Sequence, residues 1–439
     1  MADRRDFAAH AIFVSSAMIA IVVATFCIGV LSAMERSPLV MRMLVAKDAA
    51  IGFFRTGIMA PPGLLVRTPP NAATQDVAVS AIEAPLRGWR VVNAFDKDLK
   101  AYAVKLFDSE GRLAHEWRFR DGMFKLDPVN ASIETPHGLV VLNDGGIVLN
   151  SDLSHVIAAY DACGRMLWRR DEPFHHQITL DEDGFLWVWR GKASPHSQDQ
   201  WIDRLDPENG RTVESISLRE EVLGRHPESL ALLGLPPRFA RGEATLADNA
   251  DADIFHPNDV EPLPSAYADK FPEFAAGDLL ISFRNMDLVA VVDRKTHAIK
   301  WAMRGPWRRQ HDPDFMPTGE ISLFNNNSPA GPDKTIFEAR SSIMAVNPRT
   351  GGARYVLSGG PKSFYSTAMG AHTWIGPSHI QVVAPEEGRV IEIDLTDGHP
   401  VFEFNNRVTK TVNASAAVAT WLPEGYFTSD PRRFACQGG

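Results

Sequence analysis

Several signatures that would announce a function are missing from this chain. Cysteine is scarce: only three occur in 439 residues, and no C-x-x-C pair is among them, so dithiol chemistry has no support. Cys27 lies in an apolar run, while Cys163 and Cys436 stand far apart and fit either a disulfide or two free thiols, which leaves the redox compartment open. A G-x-S-x-G elbow and a Walker loop are also lacking, which removes support for serine-hydrolase and nucleotide chemistry. Basic residues fall short of acidic ones, 45 Lys and Arg against 54 Asp and Glu, and the net charge of -9 comes without a Lys/Arg cluster. Nucleic acid is set aside as a partner on that ground, because phosphate neutralisation needs a basic stripe.

Long apolar runs are lacking too, with one exception. Residues 11–33 (AIFVSSAMIAIVVATFCIGVLSA) carry no charge, and about 20 such residues span a bilayer as a helix. A cleaved signal peptide has a shorter apolar core and a small-residue end, so the run is read as an uncleaved transmembrane anchor. Residues 1–10, with Arg4 and Arg5, become a short cytoplasmic tail. Arg36, Arg42 and Lys47 lie on the far side, so the charge asymmetry is weak; the expected arrangement exports the large domain to the periplasmic side of the inner membrane. Residues 34–85 are read as a juxtamembrane helix and linker. Between 38 and 58 the apolar spacing suits either an interfacial helix or one packed on the main domain, and 61–84 is rich in Pro, Thr and Ala.

With 45% hydrophobic and 23% charged residues the remainder is ordinary globular composition, large for one domain unless it is a barrel or a repeat array. Two half-motifs recur. One is an apolar strand ending in Asp or Asn, a tight turn and a second strand, as in KLFDSEGRLAHEW from Lys105, AAYDACGRMLW from Ala158 and AVVDRKTHAIKW from Ala290. The other is a hairpin with a glycine in its turn, as in GLVVLNDGGIVL from Gly138 and PDFMPTGEISLF from Pro313. The halves alternate, each pair making a four-stranded antiparallel unit of roughly 40 to 50 residues. The expected fold is therefore all-β: a six-bladed β-propeller over residues 86–439, closed by pairing the C-terminal hairpin with the N-terminal one, and preceded by the anchor. Residues 218–254 interrupt the repeat as a helical excursion over one face, with the reach to form a lid.

Histidine opens five of the inner hairpins: His137, His176, His256, His311 and His372. A strand that begins at a histidine, turns and returns brings its far end back beside that histidine. The same rim thus receives Asn150, Arg190, Arg284 and Asn325, and converging imidazole, amide and guanidinium donors suit an oxyanion such as sulfate or phosphate. His137 and His372 are read as residues that hydrogen-bond a neighbouring blade. His256 is read as chemistry, because Asn258 shares its strand face and Arg284 ends the same hairpin; so is His311, which follows Arg308 and Arg309. Of the adjacent His175 and His176, the second is chosen because its distance to the turn matches the other copies. Trp117, Trp168 and Trp301 are assigned to packing, while Trp307 and Trp374 fit either a pocket wall or the core. A metal held by the histidine ring has little support without carboxylate or cysteine partners at ligand spacing, although Asp259 and Asp312 lie near.

HPNDVEPL from His256, GDLLISFRN from Gly277, VVDRKTHAIKWAMRGP from Val291 and QHDPDFMPTGEISLFNN from Gln310 resemble the arylsulfotransferase family of six-bladed propellers. Its members move a sulfuryl group from a phenolic sulfate ester to a phenol acceptor without a nucleotide donor. The resemblance implies His311 as a nucleophile that becomes a transient sulfohistidine, His256, Asn258 and Arg284 as the sulfate-binding set, and His176 as the histidine assisting the phenol. It implies no cofactor or metal, and small phenolic partners. The separate N-terminal sandwich domain that secreted members use for dimerisation has no room in residues 34–85. Two other readings are a non-catalytic propeller that binds an anion or partner on this rim, and a metal-dependent lyase or hydrolase.

Overall fold

The computed structural model describes residues 64–81, 83, 85–127, 133–151, 155–191, 200–235, 253–328, 340–359, 363–434 and 436. The chain divides into two compact units, residues 1–62 with 127–132, and residues 63–126 with 133–439. The first lies almost wholly outside the described residues, and with it the segment 11–33 read as an anchor. Among the described residues no helix is long and apolar enough to cross a membrane.

The recurring aspartate turn explains why the strands pair as they do. At Asp161 one carboxylate oxygen accepts the backbone N–H groups of Cys163 and Arg165 at 2.8 and 3.0 Å, and Asp108 does the same for Glu110 and Arg112 at 3.1 and 2.9 Å. A side chain that supplies the missing acceptor fixes the hairpin without help from the rest of the fold. Gly164 closes its turn at φ +70°, and a Cβ there would meet the Arg118 carbonyl oxygen at 2.2 Å, so only glycine fits. Two turns also receive a tryptophan from the preceding blade: the buried Trp117 indole donates to the Gly145 carbonyl at 2.8 Å, and Trp168 to that of Pro207 at 2.8 Å. These tryptophans are packing residues that lock one blade to the next.

Six four-stranded antiparallel sheets result, the sixth extended by a fifth strand. Their innermost strands are Ala416–Pro423, Pro136–Val141, Phe174–Leu180, Pro257–Pro262, His311–Phe315 and Ala371–Ile375, in blades one to six. Each touches the next, and the last touches the first. This is a closed six-bladed β-propeller.

Closure differs in one respect from the expected pairing of two hairpins. Blade one takes a single strand, Ala416–Pro423, from the C-terminal side and three from the N-terminal side, beginning with Gly88–Asp96. The nearly continuous burial of GWRVVNAFD explains why it carries no repeat signature: it lacks the alternation and turn that mark the other copies. After Pro423 the chain leaves the sheet and runs along the outside, where Phe427 packs edge-on to Trp89 and Phe434 to His115. There Cys436 and Cys163 form a disulfide across 273 residues.

Within the stretch 61–84, read as linker, residues 64–81 are part of the folded unit. Leu65–Arg67 pairs with Val412–Ala414, and Val77–Val79 covers the edge of His399–Asn405 as the fifth strand of blade six. Three-residue strands carry too little alternation to register against a Pro- and Thr-rich background, yet they blunt an otherwise open edge. The described part of the excursion is a π-helical stretch, Leu218–Gly224, capped by the Ser217 hydroxyl, and a short helix, Pro227–Leu232. Leu218, Val222, Leu223, Leu230 and Leu233 are buried in one core with Trp187, Trp189, Leu279 and Ile299. This part fills the wedge between blades three and four rather than lying over the rim as a lid; residues 236–252 are outside the described residues.

Candidate active site

Five of the six inner strands break register at one place. The shifts fall between Pro136 and Leu139, His175 and Ile178, Pro257 and Asp259, His311 and Asp314, and Ala416 and Val418. Each is a bulge, which re-aims side chains that regular alternation would send elsewhere. His176, His256 and Asp312 take left-handed backbone at φ 62°, 47° and 53°, a conformation non-glycine residues adopt at a cost and that concentrates at functional sites. The innermost pair of blade six has no shift.

The bulges gather four imidazoles. Ring centroids of His137 and His176 lie 4.3 Å apart, His176 and His256 4.8 Å, and His137 and His311 6.5 Å. His176 Nε2 is 3.2 Å from His256 Nε2. All three histidines expected to carry chemistry therefore meet, and His137, expected to brace a neighbouring blade, stands among them.

His311 is held by a residue the sequence did not single out. Its Nδ1 lies 2.7 Å from Asn326 Oδ1, while Asn326 Nδ2 donates to the carbonyls of Ser366 and Met369 at 2.9 and 2.7 Å. Those two carbonyls fix the amide with its oxygen toward the ring, so Nδ1 must carry the proton and Nε2 keeps its lone pair. Burial, and then the charge of Arg284, hold His311 well below the usual histidine range, against an opposing pull from Asn326. His176 is likewise held low, by burial and then by the neighbouring His137 and His256. At neutral pH His311 is a neutral imidazole with one nitrogen unprotonated.

Arg284 follows the return strand Leu279–Phe283; its backbone N–H donates to the His256 carbonyl at 3.2 Å, as hairpin geometry requires. Asn258 gives one amide hydrogen to the Gln310 carbonyl at 2.8 Å and leaves its buried Oδ1 without a hydrogen-bond partner among the described residues. It lines a small cavity with His137, His311, Asp312, Ala417 and Val418. A second amide hydrogen and an orphaned carbonyl at such a place equip the residue for a ligand rather than for the fold.

Other expected rim residues serve the blades. Arg190 pairs with Asp203 at 2.6 Å and stacks on Trp201; Asn150 accepts from the Gly138 N–H and donates to the His176 carbonyl, both at 2.7 Å. Asn325 accepts the Arg308 N–H at 2.9 Å. Trp307 is core, whereas the half-buried Trp374 lines the channel and donates to Ser322 Oγ at 2.9 Å. Asn326 had a legible signal: in the Asn325–Asn326–Asn327 run, alternation sends the middle amide opposite to its neighbours.

Beneath the cluster the channel widens into a cavity of about 370 Å³ walled by Asp259, Glu261, Asp312, Asp314 and His372. His372 sits 2.8 Å from Asp312 and 3.3 Å from Asp314 and meets Ser322 Oγ at 2.8 Å. Asp314 and Asp312 raise it above the usual range despite burial, and burial pushes Glu261 up to about 8. Asp312, Asp314 and His372 form one group able to hold a metal ion, and Glu83, His379 and Asp394 another. Among the described residues, His176, His256 and His311 belong to neither group.

Similar solved structures include a protein of unknown function from Bacteroides caccae, 10% identical with TM-score 0.49 over 76% of this chain and 99% of that one. A second is the Cps50 (Swd1) β-propeller domain of Myceliophteria thermophila, 10% identical with TM-score 0.38 over 74% and 88%. A third is a catalytically inactive virginiamycin B lyase from Staphylococcus aureus with quinupristin, 11% identical with TM-score 0.35 over 69% and 86%. Curated proteins yield no match. Residues 138–407, which hold four of the five complete inner hairpins and every histidine of the cluster but His137, match the family described as Arylsulfotransferase (ASST). The chain belongs to the arylsulfotransferase family.

Proposed function

We propose that this propeller transfers a sulfuryl group from a phenolic sulfate ester to a phenol, through a sulfohistidine at His311 and without a nucleotide. The observation that carries the reading is the fixed tautomer of His311, which leaves the Nε2 lone pair available on a ring that lies within the field of the Arg284 charge. A loose sulfuryl-transfer transition state needs placement and charge stabilisation more than covalent help. Arg284 and the second amide hydrogen of Asn258 hold the sulfate oxygens. His311 Nε2 forms the bond to sulfur as the sulfur–aryl-oxygen bond breaks, and the aryl oxygen takes a proton from the His176–His256 pair. An acceptor phenol returns a proton to that pair and removes the sulfuryl group from His311. Asn326 steadies the positive charge that His311 acquires in between.

Export and anchoring through residues 11–33 belong to the same proposal. The Cys163–Cys436 disulfide supports an oxidising compartment. Protease treatment of spheroplasts should remove the propeller, and protection of the whole domain would reverse the topology. For the chemistry, the full chain incubated with a panel of aryl sulfates and a phenol should release the donor phenol, with a sulfate-mass adduct on His311 after acid-free quenching. Turnover retained by His311→Ala would take His311 out of the reaction. Binding of aryl sulfates without turnover by the wild-type chain would favour a non-catalytic propeller.

A further inference from the structure

The four imidazole contacts nearest the cluster form one string. Gln200 Oε1 is 2.9 Å from His175 Nε2, His175 Nδ1 2.8 Å from His176 Nδ1, His176 Nε2 3.2 Å from His256 Nε2, and His256 Nδ1 2.5 Å from Asp253 Oδ2. Asp253, at the end of the excursion, also accepts the His256 backbone N–H at 2.8 Å, and its carbonyl accepts from Asn285 Nδ2 at 2.6 Å. Asn285 Oδ1 in turn accepts from Arg284 Nη1 at 3.1 Å.

Counting protons along the string gives two self-consistent arrangements. If the Gln200 oxygen accepts from His175 and every ring is neutral, donation runs toward Gln200 and His256 presents a bare Nδ1 to a carboxylate oxygen at 2.5 Å, two lone pairs facing each other. That arrangement needs one extra proton, which makes His256 an imidazolium against Asp253. With the Gln200 amide turned over, donation runs the other way, ends at the Asp253 carboxylate, and needs no extra proton. The string therefore exists in a loaded and an unloaded form that differ by one proton.

We infer that Asp253, His175 and Gln200 are positioning residues that make His256 and His176 a one-proton store for the sulfuryl-transfer reaction, an inference that rests on the function proposed above. In the first half-reaction the sulfur–nitrogen bond to His311 forms and the sulfur–oxygen bond to the aryl group breaks. The electron pair stays on the aryl oxygen, which takes the stored proton from His256 Nε2 at the 3.2 Å gap, the longest contact of the string. In the second, the acceptor's hydroxyl proton reloads the string as its oxygen bonds to sulfur and the bond to His311 breaks. No other reagent is required. Among the described residues, the titratable and charged groups around His256 are Asp253 on its own segment and His176 of blade three in direct contact, with His311 of blade five within its electrostatic reach, Arg284 acting on His311, and His175 and His137 acting on His176.

The inventory of half-reactions gives the test. A proton donor matters for a poor leaving group and hardly at all for a good one. Full-length Asp253→Asn, which keeps the backbone ties to Asn285, should transfer from phenyl sulfate about 100-fold more slowly than wild type, while transfer from 4-nitrophenyl sulfate falls less than about 5-fold. Asp253→Glu should recover part of the loss, and His175→Gln should show the same selectivity for the poor leaving group. Equal losses on both donors, or none, would overturn the inference. A second readout needs no turnover: a strongly downfield proton resonance from the His256–Asp253 hydrogen bond, present in wild type and missing in both Asp253→Asn and His256→Gln. Absence of that resonance in wild type would also overturn it. A wild-type chain that keeps the resonance but transfers from neither donor would leave the string standing and remove the sulfuryl-transfer reading instead.

Discussion

His311 and His372 occupy neighbouring blades, open the same kind of hairpin and are both buried, yet their surroundings are opposite. His311 leans on an amide, Asn326, and faces a guanidinium; His372 leans on two carboxylates, Asp312 and Asp314. An amide oxygen fixes a tautomer without demanding charge, whereas a carboxylate draws a proton onto the ring. Strand pairing makes the matching difference. Blade five is bulged at His311 and blade six is regular at His372, so one ring reaches the cluster and the other stays in the channel wall. Position in the repeat thus says where a histidine is, and its polar neighbours say which charge state it favours.

The largest expected effect breaks the comparison outright. His311→Ala should lower transfer at least 1000-fold with a melting temperature within a few degrees of wild type, whereas His372→Ala should leave Asp312 and Ser322 without their buried partner and cost about 3 kcal/mol. Turnover and denaturant midpoints on the two variants separate the roles. A smaller effect should follow from making His311 resemble His372. Asn326→Asp supplies a carboxylate, raises the His311 pKa and moves the lower limb of the transfer-rate profile to higher pH, about tenfold in rate at a fixed pH per unit moved; an unmoved limb would mean that Asn326 does not set the tautomer.

Stability against pH sharpens the contrast. His311 is depressed in the folded state, so its contribution is present above about pH 6.5 and is lost as pH falls below that value. His372 is raised, so its contribution is full below about pH 6.5 and is lost as pH rises through its folded value. His311→Gln should therefore flatten the acid side of the stability profile and His372→Gln the alkaline side, as read from urea midpoints between pH 5 and 9. The smallest effect on turnover should come from Cys163→Ser, which touches neither histidine. Opening a 273-residue loop costs up to about 5 kcal/mol in the chain-entropy limit, so heat resistance should drop while the rate at 25 °C stays unchanged.

How much of this was legible in the sequence follows the same division. The aspartate turns and their spacing reveal the blades, because each turn is stabilised by its own carboxylate and needs no tertiary context. The convergence of His176, His256, Asn258, Arg284 and His311 follows from hairpin return. What stayed hidden depends on bulges and on partners distant in sequence. His137 reads like any blade-linking histidine until the bulge at Pro136 brings it to His176, and Asp253 lies in an excursion outside the repeat. Gly88–Asp96 leaves no periodic signal because a strand buried on both faces has no alternation.

The strand that completes the ring, Ala416–Pro423, also supplies Ala417 and Val418 to the cavity beside His311. Every other element of the cluster precedes it in the chain. A growing chain therefore carries every histidine of the cluster before the strand that walls the pocket has been made, so the pocket beside His311 can close only after Ala416–Pro423 is in place.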